Sequence, residues 1–171
     1  KQRTTVVGGT PGSGKTVFAT QFLAHGITTC DEPGVFVTFE ESPADIRANM
    51  NGFGWELGRW CDERKLAFVD ASPGDREELV IGEFNLAALL ARILHAANEV
   101  GAKRVVLDSM AQLFDHFIAD PLSLGRELFR ITTALKQSGL TVLMTAERKS
   151  EYGEITRDRM EEFGGENVVI L

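Results

Sequence analysis

Residues 9 to 16 read Gly9-Thr10-Pro11-Gly12-Ser13-Gly14-Lys15-Thr16, with an apolar β-branched run, 4–7, just before them and a helical pattern, 17–25, just behind. A G-x-x-x-x-G-K-T string is informative only in that strand-then-helix context, and here the context is present. Glycines let successive backbone N–H groups turn toward one point, and the start of a helix adds its partial positive charge there. The loop is therefore suited to cradling phosphates. Lys15 supplies a mobile cation for the β- and γ-phosphates of a nucleoside triphosphate such as ATP, and the Thr16 hydroxyl is a ligand for Mg²⁺.

The rest of the chain alternates short apolar runs with longer helical patterns. Strands are predicted at 4–7, 35–39, 66–69, 104–107, 141–145 and 168–171. Their nearly continuous apolar character fits strands buried on both faces of a parallel sheet. Between them, Ser42-Pro43-Ala44-Asp45 offers an N-cap, a proline at the first helical position and an acid at the third. Asn85 can cap a helix whose apolar face is Leu86, Leu89, Leu90, Ile93, Leu94 and Ala97, and which Gly101 ends. Asp120-Pro121 opens a further helix that runs to Gly139. The repeated strand-helix-strand order predicts a three-layer α/β domain with a mostly parallel central sheet and right-handed crossovers.

Ligands of such sheets bind beyond the carboxyl ends of the strands, and two of those ends carry acids. The run 104–107 closes on Asp108, placed to sit beside the phosphate loop and hold Mg²⁺ through its water shell. The run 35–39 ends in Glu40-Glu41. A carboxylate at the mouth of an adjacent strand can orient or deprotonate a water in line with the γ-phosphate. The catalytic role is assigned to Glu40 first, with Glu41 as the alternative base or as a residue that orients its neighbour. The plain alternative for both is a solvated acidic pair favoured by the dipole of the helix behind it.

With 171 residues, a net charge of −7, 43% hydrophobic and 25% charged residues, residues 1–171 read as a single acidic domain, which buries roughly 70% of its unfolded surface. The acidic balance opposes general nucleic-acid binding, which needs clustered Lys and Arg. No apolar run approaches the ~20 residues of a membrane-spanning helix, and the opening residues are too short for a signal peptide, so the expected location is cytoplasmic. Because the chain opens three residues before one strand and stops inside another, the domain is expected to be truncated at both ends. Cys30 and Cys61 lack CxxC spacing, and reduced, buried thiols are expected of them rather than a zinc site.

The phosphate loop, the strand-end Glu40-Glu41 and Leu107-Asp108-Ser109, in that order, resemble the RecA-like P-loop ATPases. Longer strings resemble one branch of them: Asp31-Glu32-Pro33-Gly34-Val35-Phe36-Val37-Thr38-Phe39-Glu40-Glu41, Phe53-Gly54-Trp55, Asp70-Ala71-Ser72-Pro73, Arg126-Glu127-Leu128-Phe129-Arg130 and Glu151-Tyr152-Gly153 are similar to the N-terminal ATPase domain of the KaiC family of circadian clock proteins. The resemblance implies slow, Mg-dependent ATP hydrolysis in a homo-hexamer with ATP at the subunit interfaces and two RecA-like domains per chain. It places Gly12, Ser13, Gly14, Lys15, Thr16 and Val17 around the phosphates and Mg²⁺, and Gly52 near the nucleotide, although Asn51-Gly52 reads equally as a helix C-terminal turn. It also implies basic residues from a neighbouring subunit, contributed by strands beyond Leu171.

Autokinase activity is not expected, because the place where the family's second domain carries adjacent Ser and Thr holds Glu161-Glu162. The connection from Ala71 to Leu86 is longer than the usual ~2–6 residues, and the resemblance implies that a KaiB-like protein docks there. Its alternative is a solvated loop whose Leu79, Val80 and Ile81 pack back on the core.

Two rival functions share the fold. A RecA- or RadA-like DNA-dependent ATPase would need basic DNA loops, yet 109–120 contains no Lys or Arg and two Asp. An ATP-dependent assembly module without turnover would use the same cis residues. Other residues receive plain readings: helix-end interaction or packing for His25 and His95, a surface loop or interface for His116, and helix packing for Trp55 and Trp60. Glu147-Arg148-Lys149 stays open between sensing of the γ-phosphate and a structural role.

Overall fold

The computed structural model describes residues 2–72, 86–111, 121–148 and 165–171, the side chains of 121–124 excepted. Every predicted apolar run forms a strand: β1 (Thr4–Gly9), β2 (Gly34–Thr38), β3 (Leu66–Asp70), β4 (Arg104–Asp108), β5 (Thr141–Glu147) and β6 (Asn167–Ile170). They make one sheet in the order β3-β2-β4-β5-β1-β6, and each pairing is parallel. The helices are α1 (Lys15–Thr29), α2 (Pro43–Met50), α3 (Leu57–Asp62), α4 (Leu86–Val100) and α5 (Pro121–Gln137), with a 3-10 turn, Asn51–Phe53, after α2.

Period-two alternation along the strands divides the core into two layers. Val6, Val35, Val37, Val105, Leu107, Val142 and Met144 face α4 and α5, packing with Leu89, Ile93, Leu128 and Leu135. Val7, Phe36, Val106 and Leu143 face the other way, onto Ala19, Leu23 and Ile27 of α1, Ile46 of α2, and Leu57 and Trp60 of α3. The three-layer α/β architecture is thus present. The RecA-like frame depends on its sheet order, in which β5 is inserted between β1 and β4.

Local chemistry sets the element ends. The Ser42 side chain accepts from the Asp45 backbone N–H at 3.2 Å, and Pro43 occupies the first turn of α2, as its sequence requires. Gly101 and Gly139, at φ +66° and +83°, end α4 and follow α5 in the left-handed region. The first helix is longer than expected, and β2 stops at Thr38, so Phe39 and Glu40 leave the sheet as a bend. At the opposite end of the sheet, Arg104 reaches Glu32 at 2.7 Å and the Phe22 carbonyl at 2.7 Å. Its guanidinium occupies the place a side chain at Gly26 would take, 2.7 Å from the Cβ position.

Both cysteines are free. The expectation of buried thiols holds only in part: Cys61 is half-buried, and the lost hydration raises its thiol pKa, whereas Cys30 is exposed at the end of α1. His25 and His95 are exposed on their helices. Trp60 is buried, and Trp55 packs on the same core while stacking on Phe53 with ring centroids 5.1 Å apart. Among the described residues no helix is long and apolar enough to cross a membrane. Residues 73–85 of the Ala71 to Leu86 connection, His116, Lys149, Glu161 and Glu162 lie outside the described residues.

Candidate functional site

At the carboxyl end of β1 the chain turns through Gly12 and Gly14, at φ +78° and +87°, before α1 begins at Lys15. Both values are strained for any residue with a Cβ. The Ser13 N–H donates to the Thr10 carbonyl at 3.1 Å, and the Phe18 N–H to the Gly14 carbonyl at 2.9 Å, which fix the loop on the start of the helix. Gly9 is required for a different reason. A Cβ there would fall on Ser13 Oγ and crowd Ser13 Cβ and Lys15 Cγ at 3.2 and 3.3 Å, so the Ser13 and Lys15 side chains would have to shift. That Ser13 Oγ is buried and has no hydrogen-bond partner. Lys15 Nζ donates to the Gly9 and Thr10 carbonyls at 3.0 and 2.9 Å, so its charge already lies along the loop.

A cleft of about 240 Å³ opens beside this loop, lined by Pro11, Gly12, Lys15, Thr16, Glu40, Asp108, Ser109, Ala111 and Glu147. Four strand ends meet there. β4 is not beside β1, because β5 lies between them, yet the two strand spacings, about 10 Å, leave room above β5 for ligand phosphates. Asp108 bridges that gap. Only 6% exposed, it accepts a hydrogen bond from the Thr145 hydroxyl on β5, with the Thr16 hydroxyl as a second partner.

Burial dominates the Asp108 carboxyl and raises its pKa, against the lowering effects of the Thr145 and Thr16 hydroxyls and the Lys15 charge. The folded state therefore holds the proton more tightly than the unfolded chain. Stability from this group is present below the unfolded value near 3.8 and is lost as pH rises through the raised folded value. Asp108→Asn should accordingly raise the melting temperature of the nucleotide-free protein at about pH 7, with the gain shrinking toward about pH 4. Thermal unfolding at the two pH values checks this, and a lower melting temperature for the variant at neutral pH would contradict it.

The two adjacent acids part company. Glu40 faces the cleft and opens to solvent. Packed atoms still cost it hydration, and this, with the charges of Asp108, Glu41 and Glu147, raises its pKa, with Lys15 opposing. Glu41 points away, its Oε2 accepting from Asn49 Nδ2 of α2 at 3.0 Å. Val17 sits on α1 and packs toward the core, and Gly52 is exposed in the 3-10 turn. Neither lines the cleft. Gly52 has open space about it, and the left-handed turn residue is Gly54, at φ +73°.

For Mg²⁺, the fit lies in the donor set. Thr16 and Asp108 present hard oxygen ligands side by side, while no group of three or more His, Cys, Asp or Glu able to hold a metal occurs among the described residues. Mg²⁺ is commonly held in this way, by one or two protein oxygens with phosphates and waters completing an octahedron.

Thr145 and Glu147, beyond the residues assigned from sequence to the Mg²⁺ and catalytic roles, belong to this site. A signal was available: Thr38-Phe39-Glu40 and Thr145-Ala146-Glu147 share one pattern, a threonine at the end of an apolar run two residues before an acid.

Residues 1–171 match the family described as "ATPase: KaiC". The chain is 52% identical over 171 residues to the circadian clock protein KaiC3 of Synechocystis sp., covering 99% of this chain and 33% of the relative. It is 50% identical over 169 residues to the circadian clock oscillator protein KaiC of Synechococcus elongatus, covering 99% of this chain and 32% of the relative. It thus spans about a third of the length of these curated relatives. With a family match over its whole length and the phosphate loop and acidic strand ends gathered at one cleft, the chain belongs to the KaiC ATPase family.

Proposed function

We propose that this domain binds Mg·ATP and hydrolyses it slowly as one unit of a ring-forming KaiC-type clock ATPase of the first-domain kind. The observation that carries the reading is the convergence of Lys15, Thr16, Asp108 and Glu40 on one cleft. Gly12, Ser13, Gly14 and Lys15 would hold the phosphates, and Thr16 and Asp108 the metal. When bound, Mg²⁺ neutralises charge on the β- and γ-phosphate oxygens. Water attacks the γ-phosphorus in line, the bond to the β,γ-bridging oxygen breaks, and ADP and phosphate result. Glu40 orients that water and receives its proton, a task helped by a raised proton affinity.

Phosphate release measured with Mg·ATP should be abolished by EDTA and restored by added Mg²⁺. ATP binding and ring assembly without any Mg-dependent release would instead favour the assembly module. Among the described residues that line the cleft, Lys15 is the one basic side chain, against Glu40, Asp108 and Glu147. That imbalance supports a need for further positive charge, from Mg²⁺ and from basic residues of a neighbouring subunit in a hexamer.

A KaiB-like partner is proposed for the connection from Ala71 to Leu86, on the family relationship alone. A pull-down with a KaiB homologue should retain the wild type and lose a folded Leu79/Val80/Ile81 triple Ser variant. Equal retention of both would reject the loop as the docking site.

A further inference from the structure

The last residue of β2, Thr38, is 1% exposed in a run whose neighbours Val35, Phe36, Val37 and Phe39 are all buried and apolar. A valine would suit that layer at least as well, since a buried hydroxyl is unfavourable unless it is hydrogen-bonded. This hydroxyl is bonded: Thr38 Oγ1 donates to the Glu41 carbonyl at 2.5 Å, closing a turn around Phe39 and Glu40. On the other side of Glu40, the Phe39 N–H donates to the Asp108 carbonyl at 2.8 Å. Glu40 is therefore held between two fixed points, one on β4 and one on β2. Beyond it, Asn49 ties down the Glu41 carboxylate and Ser42 caps α2. The chain path leaves one of the two acids at the cleft.

We propose that Thr38 is a positioning residue for Glu40, its buried hydroxyl fixing the Glu40-Glu41 turn so that the first carboxylate faces the phosphates. The proposal rests on the reading of Glu40 as the group that activates water. Its geometry sets a crossed test. Thr38→Val keeps the apolar packing and loses the hydroxyl, and Thr38→Ser keeps the hydroxyl and loses a buried methyl.

Steady-state phosphate release, Mg·ATP affinity and melting temperature are measured for both variants beside Glu40→Gln. Thr38→Val should lose roughly tenfold or more in kcat, the scale of a misplaced catalytic group. Its affinity should stay within about twofold of wild type. Thr38→Ser should turn over at close to the wild-type rate while melting lower. Wild-type kcat in Thr38→Val, with Glu40→Gln inactive, overturns the positioning role alone. A Thr38→Ser variant as slow as Thr38→Val overturns it too. Full turnover in Glu40→Gln removes the base assignment, and this proposal with it.

Discussion

Lys15→Ala should lose Mg·ATP affinity by roughly 100-fold or more while the domain stays folded. Charge-assisted hydrogen bonds contribute about 1.5–3 kcal/mol each, and each ~1.4 kcal/mol is tenfold in affinity, so two phosphate contacts from one ammonium account for that loss. The fold has little at stake, because the ammonium bonds only the Gly9 and Thr10 carbonyls of its own loop. Both keep a backbone partner without it: the Gly9 carbonyl accepts from the Arg148 N–H at 3.0 Å and the Thr10 carbonyl from the Ser13 N–H at 3.1 Å. Titration calorimetry of the two proteins with Mg·ATP checks the expectation, and equal affinities would detach the phosphate loop from nucleotide binding.

Glu40→Gln should slow phosphate release by about 100-fold or more, the usual scale for a positioned general base. Affinity for Mg·ATP should hold or rise, because the substitution removes a negative charge that, with Asp108 and Glu147, lines the cleft proposed to take the phosphates. That split between turnover and binding separates a catalytic residue from one that merely shapes the pocket. A single assay series reporting kcat and the dissociation constant together decides it. A loss of affinity with unchanged kcat would make Glu40 part of the binding surface.

Much of this site can be read from the chain. The loop at 9–16 is legible because the proposed binding of phosphates imposes residue type and spacing at once: glycines at φ +78° and +87°, a lysine and a hydroxyl next to each other at the start of α1. Asp108 is legible for a similar reason, as an acid closing an apolar strand in a chain that already has such a loop. The six strands follow from apolar runs, and α2 from its cap and proline.

What local pattern does not carry is strand order. Nothing in residues 141–147 announces that they pair with both β1 and β4, and from that pairing follow the Thr145 bond to Asp108 and the entry of Glu147 into the cleft. The same holds for the choice between Glu40 and Glu41. The partner that draws Glu41 aside is Asn49, on the next helix, and the hydroxyl that fixes the turn is Thr38, which in sequence is one more β-branched residue of a strand. At Gly52 the plainer reading, a helix C-terminal turn, agrees with the structure, since α2 passes directly into the 3-10 turn Asn51–Phe53, while the left-handed conformation falls two residues later on Gly54.

The central claim, that one acid of the adjacent pair works on the γ-phosphate and the other anchors to α2, is tested most directly by phosphate release from Glu40→Gln and Glu41→Gln side by side at saturating Mg·ATP. The geometry predicts a loss of about 100-fold for Glu40→Gln and a change of no more than a few-fold for Glu41→Gln. The reverse order, or equal losses in both, would contradict it.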